Sequence, residues 1–174
     1  MTDHTALLLM SADEARAVNF DLDRQLLEVA AAVGEGELPC DADDGEWTLA
    51  ENLAHIGEFP GFFAGELARW FADRSTPLGR THEDERRLAA ISAAGRWSKE
   101  ELLDGMRTAF AALATALEPL RDDDLDALTN NRKYGPEPLR AFLDRYVIGH
   151  KQAHVEQLSR TIRLVRDRRG TTTA

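Results

Sequence analysis

An all-α four-helix bundle with a short extra helix in one long connection is the fold this sequence predicts, and three observations predict it. Four stretches carry apolar residues at the three- and four-residue spacing of a helix face. Several of them open on Ser or Thr followed three residues later by an acid, the pattern in which each side chain satisfies a free amide of the other. No run of alternating β-branched residues argues for a sheet. Long helices with apolar stripes bury one another most simply as a bundle. The 174 residues suit one domain, with a core expected over about residues 11–168 and mobile tails at 1–10 and 170–174.

The first helix is expected from Ser11 to Val33, with Ser11 and Glu14 as its capping box and Ala15, Val18, Leu22, Leu26, Val29 and Val33 as its buried stripe. Gly34 to Glu46, with three Gly, Pro39 and many acids, reads as a surface loop holding Cys40. Thr48 and Glu51 open a second helix to about Asp73, with Leu53, Ile56, Phe59, Phe63, Leu67 and Trp70 inward and a kink expected at Pro60. After the loop Arg74 to Arg80, Thr81 and Asp84 suggest a short helix from His82 to Ala93. Ser98 and Glu101 start a third long helix to about Leu120. Arg121 to Pro138, polar and rich in Pro and Gly, reads as mostly loop. The fourth long helix runs from Pro138 to about Arg169, stopping before Gly170. Connections of about 13 to 25 residues exceed ordinary helix–helix turns and permit crossovers.

With 21 basic and 31 acidic residues the formal charge is −10, which argues against a nucleic-acid partner. No apolar run is long enough to span a bilayer, and the N-terminus lacks the basic start of a signal peptide, so a cytoplasmic protein with no membrane partner is expected. The terminal arginines Arg160, Arg163, Arg166, Arg168 and Arg169 read as solvated cations at a helix C-terminus. Cys40 is the only cysteine, so intrachain disulfides and Cys-rich zinc sites are excluded; it reads as a packed small residue rather than a nucleophile.

The histidines carry the chemistry. His150 and His154 lie four apart on the last helix, so their rings share a face. They continue the stripe of Leu139, Phe142, Leu143, Tyr146 and Val147, which Leu158, Ile162 and Val165 resume. Two readings stand: neutral rings hydrogen-bonded in the core, or two ligands of one metal. Zinc and similar ions want at least three protein ligands. His55, on the flank of the second helix's stripe, is the natural third. Glu58, one turn after His55, has three readings, a fourth ligand, a partner that supports the ligands or a solvated carboxylate, and the last is favoured. Glu51 is read as a cap partner, His4 as part of a mobile terminus and His82 as exposed. Arg80, Arg86, Arg132 and Lys133 are placed to rim such a site, though ordinary solvated charges explain each.

The pattern resembles the DinB-like superfamily. The resemblance rests on Trp47, Thr48 and His55 entering the second helix, on His150, His154, Gln157 and Leu158 in the last, and on the roughly hundred residues between them. It covers about Ser11 to Arg168 and implies an up-down-down-up bundle, usually a homodimer. It also implies a zinc, nickel, manganese or iron ion held by three histidines, which fall on His55, His150 and His154. Relatives with known activity transfer low-molecular-weight thiols such as bacillithiol or mycothiol, or isomerise maleylpyruvate with one. Pro60 and the Asn-, Arg- and Lys-rich stretch Leu128 to Pro138 depart from the family pattern.

Two function classes follow. One is a metal-dependent transferase or isomerase that uses a small thiol on a small-molecule substrate. The other is a non-catalytic metal- or small-molecule-binding bundle, as in a stress-related protein. A cavity reaching the histidines discriminates in favour of the first. Phe62, Phe71 and Trp97 are candidates for a dimer face, and interior packing explains each of them equally well.

Overall fold

The computed structural model describes residues 10–43, 45–81 and 83–172. Helix α1 spans Ala12–Ala31, α2 Leu49–Ala72, α3 Glu85–Ala93, α4 Lys99–Leu117, α5 Asp122–Leu125, α6 Leu139–Leu143 and α7 Gly149–Thr172; strands β1 and β2 span Leu128–Asn131 and Gly135–Pro138. A π turn over Asp144–Ile148 joins α6 to α7, so the chain from Leu139 onward is one long helix with one wide turn. All three expected capping boxes form. Glu14 accepts from the Ser11 amide at 2.8 Å and Ser11 Oγ accepts from the Glu14 amide at 3.2 Å, and Thr48–Glu51 and Ser98–Glu101 repeat the arrangement.

Contacts between helices fix their directions. Lys151 on α7 meets Asn19 and Asp23 on α1, and Arg166, further along α7, reaches the Ala32 carbonyl just past the end of α1. These two helices therefore run parallel. Gly57 and Gly61 of α2 face Met106 and Ala109 of α4, so this pair is parallel too. Arg16, near the start of α1, bonds the Leu120 carbonyl beyond the end of α4, while Lys99 at the start of α4 bonds the Ala31 carbonyl. The order is up-down-down-up. Two successive parallel helices oblige the chain to travel back along the bundle, and the segment carrying α3 does so. A β-carbon on Gly57 would meet the Met106 amide nitrogen at 3.4 Å, an ordinary packing distance, so α2 and α4 are in close contact here.

Several expectations are corrected. Arg121 to Pro138 is not mostly loop: it forms α5 and an antiparallel hairpin with Leu128 opposite Pro138 and Asn131 opposite Gly135. Gly135 has φ +77°, the left-handed conformation that closes a three-residue hairpin loop. The Asn131 carboxamide accepts from the Lys133 and Tyr134 amides at 2.8 and 3.3 Å. Leu78 joins the hairpin's edge, its amide on the Asn130 carbonyl at 2.9 Å. Helix α3 starts at Glu85 with Asp84, not Thr81, as its cap, because the Asp84 carboxylate reaches the Arg86 and Arg87 amides. Helix α7 continues through Gly170 to Thr172; glycine costs a helix only about 1 kcal/mol against alanine and does not stop it. Helix α2 extends past Pro60 to Ala72, as expected of a single second helix. Residues 1–9, with His4, lie outside the described residues, as does His82.

The terminal arginines are not merely solvated. Arg166 pairs with Glu37, and Arg168 bonds the Ala42 carbonyl and faces Asp41 and Asp43, so the end of α7 ties down the acidic loop after α1. Of the aromatic candidates for a dimer face, Phe62 and Phe71 pack against the core, where Arg80 covers Phe62 and Arg74 covers Phe71. Trp97 is exposed. No helix of the described residues is long and apolar enough to cross a membrane.

The α1 stripe holds a surprise for pattern reading: Val18 and Val29 are only half-buried, whereas Asn19 and Asp23 are buried. The cause lies on α7. Lys151 is wholly buried, its ammonium donating to Asn19 Oδ1 at 2.7 Å and to Asp23. Burial pushes the Asp23 carboxyl up and the Lys151 ammonium down from their ordinary ranges, each opposed by attraction to the other. Removing one partner strands the other in the core. Lys151→Ala is expected to cost about 3–5 kcal/mol, whereas the double replacement Lys151→Met with Asp23→Leu is expected to be near neutral. Urea denaturation of the two variants checks this, and equal losses would mean that the pair is not coupled.

Candidate metal centre

Two antiparallel helices bring the three histidines together. His55 comes from the second turn of α2, and His150 and His154 from the first turns of α7. His150 Nε2 lies 3.4 Å from His55 Nε2 and 3.2 Å from His154 Nε2. One ligand atom from each ring falls within 4.8 Å of the other two. Two imidazole nitrogens on one ion, at bond lengths of about 2.0–2.1 Å, sit about 2.9–3.4 Å apart. The spacing fits a shared ion.

Hydrogen-bond accounting points the same way. A ring nitrogen either carries one hydrogen or offers one lone pair. His150 Nε2, which faces both other rings, can therefore complete only one of its two contacts. The other brings two ring nitrogens together with nothing between them. A cation accepts all three lone pairs at once. Of the three remaining ring nitrogens, Nδ1 of His55 and Nδ1 of His154 are buried without a hydrogen-bond partner among the described residues.

The surroundings keep the rings neutral. Burial, with the neighbouring histidines and with Arg87 and Arg80 adding to it, pushes His55 down to about 2. Burial, His154 and the same two arginines bring His150 to about 3. His154 falls to about 4, chiefly by burial, with Gln157 opposing the fall and Arg87 adding to it. Phe59 meets the edge or face of both α7 rings, with centroids 4.6 Å from His150 and 5.6 Å from His154, and Trp47 lies 5.2 Å from His55.

The π turn delivers His150. The Gly149 amide bonds the Asp144 carbonyl five residues back, and a β-carbon on Gly149 would lie 2.6 Å from that oxygen. Only glycine leaves the wide turn room immediately before the ligand position. π turns of this kind recur at functional sites.

Glu58 is not a solvated carboxylate. It is mostly buried and takes both guanidinium nitrogens of Arg80, at 2.6 and 2.5 Å, and Arg80 bonds Asp84 at 3.2 Å. An arginine from a loop 22 residues away captured it, which no local spacing announces. Glu51 acts as the cap partner expected of it. Cys40 packs half-buried against the core. Of the four cations expected near the rim, Arg80 and Lys133 line a cavity of about 260 Å³ beside His55 and His150, and Arg87 is there rather than Arg86. Arg132 instead bonds the buried Glu66 and the Gly79 carbonyl, fastening the hairpin to α2.

A family model described as the DinB superfamily matches residues 20–158. The chain belongs to the DinB superfamily. Among solved structures, this DinB protein is similar to the mycothiol-dependent maleylpyruvate isomerase, with a TM-score of 0.69 and 14% identity over 93% of this chain and 63% of that one. It thus spans less than two thirds of that isomerase. It is also similar to YfiT from Bacillus subtilis, described as a probable metal-dependent hydrolase with an unusual four-helix bundle topology, with a TM-score of 0.66 and 18% identity over 86% of each chain. An uncharacterized protein from Clostridium difficile 630 matches with a TM-score of 0.62 and 14% identity over 84% of this chain and 92% of that one. No functionally curated relative matches the chain. These likenesses establish the DinB four-helix-bundle fold.

The depressed histidines have a consequence for acid stability. Their folded values lie below the ordinary 6.5, so the unfolded chain takes up protons first as pH falls. Their contribution to stability is whole above about pH 6.5 and declines from there toward pH 4, on the order of 1 kcal/mol per histidine per pH unit. In metal-free protein, urea midpoints at pH 7.5 and 5.5 are expected to show this decline, and replacing all three histidines with Leu is expected to flatten it. An equal decline in both proteins would assign the acid sensitivity elsewhere.

Proposed function

We propose that this DinB protein holds a divalent zinc, nickel, manganese or iron ion on His55, His150 and His154, and uses it with a low-molecular-weight thiol to carry out a transfer or isomerisation on a small substrate. The observation that carries this reading is the opening of the cluster onto the cavity of about 260 Å³ that His55 and His150 help to line. A bundle that used its histidines only as core residues would have no need of a cavity leading to them. A mycothiol-dependent enzyme and a probable metal-dependent hydrolase share the fold, which supports the same class of chemistry.

Three neutral ligands would leave a bound ion its full +2 charge, able to lower the pKa of a thiol or polarise a carbonyl. The chain's own residues do the rest. Burial keeps the imidazoles unprotonated at neutral pH, so each presents a lone pair without first losing a proton. Phe59 and Phe63 form an apolar wall that excludes water from one side of the cavity. Glu58 holds Arg80 in one orientation at its edge. The space equals roughly nine water molecules at about 30 Å³ each, so a thiol of mycothiol size can insert only its reactive end beside a small second substrate.

Elemental analysis of the purified protein is expected to find one divalent ion per chain, absent from His55→Ala. Adding that ion to chelated wild type at a hundredfold excess over Kd is expected to stabilise it by about 2.7 kcal/mol, with no effect on His55→Ala. Thiol consumption with carbonyl and halide electrophiles, in the presence of mycothiol, bacillithiol or cysteine, is expected to require both the ion and His55. Full metal loading with no turnover for any pair would leave a binding protein and overturn the catalytic reading.

A further inference from the structure

Among the described residues, four basic side chains line the cavity beside the histidines and no acidic one does: Arg80, Arg87, Lys133 and Arg145. They come from four places: the loop before α3, α3 itself, the hairpin turn and the π turn. The chain as a whole carries −10, so the charge lining this opening is opposite in sign to the net charge. The carboxylates that hold these cations stand behind them. Glu58 and Asp84 hold Arg80, and Glu137 holds Arg145 at 2.8 and 2.5 Å. Lys133 forms no ion pair among the described residues; its ammonium lies 5.0 Å from the Tyr134 ring centroid. Arg87 lies over Trp47, 5.1 Å from its centroid, and Arg145 lies 4.3 Å from Tyr134. The rest of the wall is largely aromatic: Phe59, Phe63, Tyr134 and Tyr146.

We propose that this cavity binds a small organic carboxylate, its flat apolar body against Phe59, Phe63 and Tyr146 and its carboxylate toward Lys133, Arg87 and Arg145. The inference rests on reading the cavity as the substrate site beside the metal. Cations at a partly dry opening favour an anion, since charge-assisted hydrogen bonds are roughly twice as strong as neutral ones. The aromatic wall selects among anions. A bare inorganic ion would leave those rings in contact with water, whereas an unsaturated or aromatic acid covers them. Planar guanidinium forks match a carboxylate, and the room for roughly nine waters accommodates an acid of about that many heavy atoms.

Isothermal titration with benzoate, its neutral analogue benzamide and inorganic phosphate tests this on metal-loaded and on chelated protein. Benzoate is expected to bind at least about tenfold more tightly than benzamide in both forms and more tightly than phosphate, with its advantage over benzamide shrinking as NaCl rises. Lys133→Gln and Arg87→Gln are each expected to weaken benzoate several-fold while leaving benzamide affinity, melting temperature and metal content unchanged. A protein that retains no metal but keeps the benzoate preference would fail the metal reading and support this one. Metal retained with benzoate and benzamide bound alike, phosphate bound as tightly as benzoate, or benzoate indifferent to both substitutions would overturn it.

Discussion

Three imidazole nitrogens crowd together in a place too dry to protonate any of them, and hydrogen bonding among themselves cannot satisfy all their contacts. Much of the bundle can be understood as what holds that arrangement in place. Antiparallel α2 and α7 bring His55 opposite His150 and His154. Phe59 props both α7 rings. One residue along from His150, Lys151 reaches the opposite way into the core and locks α7 to α1 through Asn19 and Asp23. The ligand pair and the ion pair thus fix the rotation of one helix from two sides.

The long connections do more than link helices. Residues after α2 pair with β1 through Leu78, and Arg132 clamps the hairpin to Glu66 on α2. Arg80 is thereby carried to Glu58, and Lys133 and Tyr134 are carried to the mouth of the cavity. At the other end of the bundle, Arg166 and Arg168 fasten the acidic loop. An acidic chain can keep a basic opening because its carboxylates stand behind the cations there and not beside the ligand space.

What could be read in the sequence was local. Ser11, Thr48 and Ser98 announced the helix starts through partners three residues away, and the histidines announced themselves by interrupting apolar stripes at helical spacing. What could not be read depends on distant partners. Glu58 looks solvated until Arg80 arrives, and Asp23 looks like a surface residue until Lys151 enters from 128 positions away. The hairpin escaped because its strands are held by backbone pairing and an Asn131-centred turn, with Pro and Gly where alternating β-branched residues would have signalled it. Gly135 four residues after Asn131 was the available clue. The π turn escaped because a single inserted residue barely disturbs a stripe that is apolar on both sides of it.

That inserted residue ties two positions of the chain into one unit of change. With Gly149 in place, the carbonyl of Asp144 occupies the space that any larger side chain at 149 would need. A lineage that replaced this glycine could keep the histidines aimed only by also dropping one residue from 144–148, restoring an ordinary helical turn and rotating everything upstream by about 100°. Such a rotation would carry Arg145 and Tyr146 away from the cavity while leaving its histidines where they are. Glycine and insertion would therefore be inherited together, and their joint loss would mark a descendant that kept the ligands but recognised a different substrate.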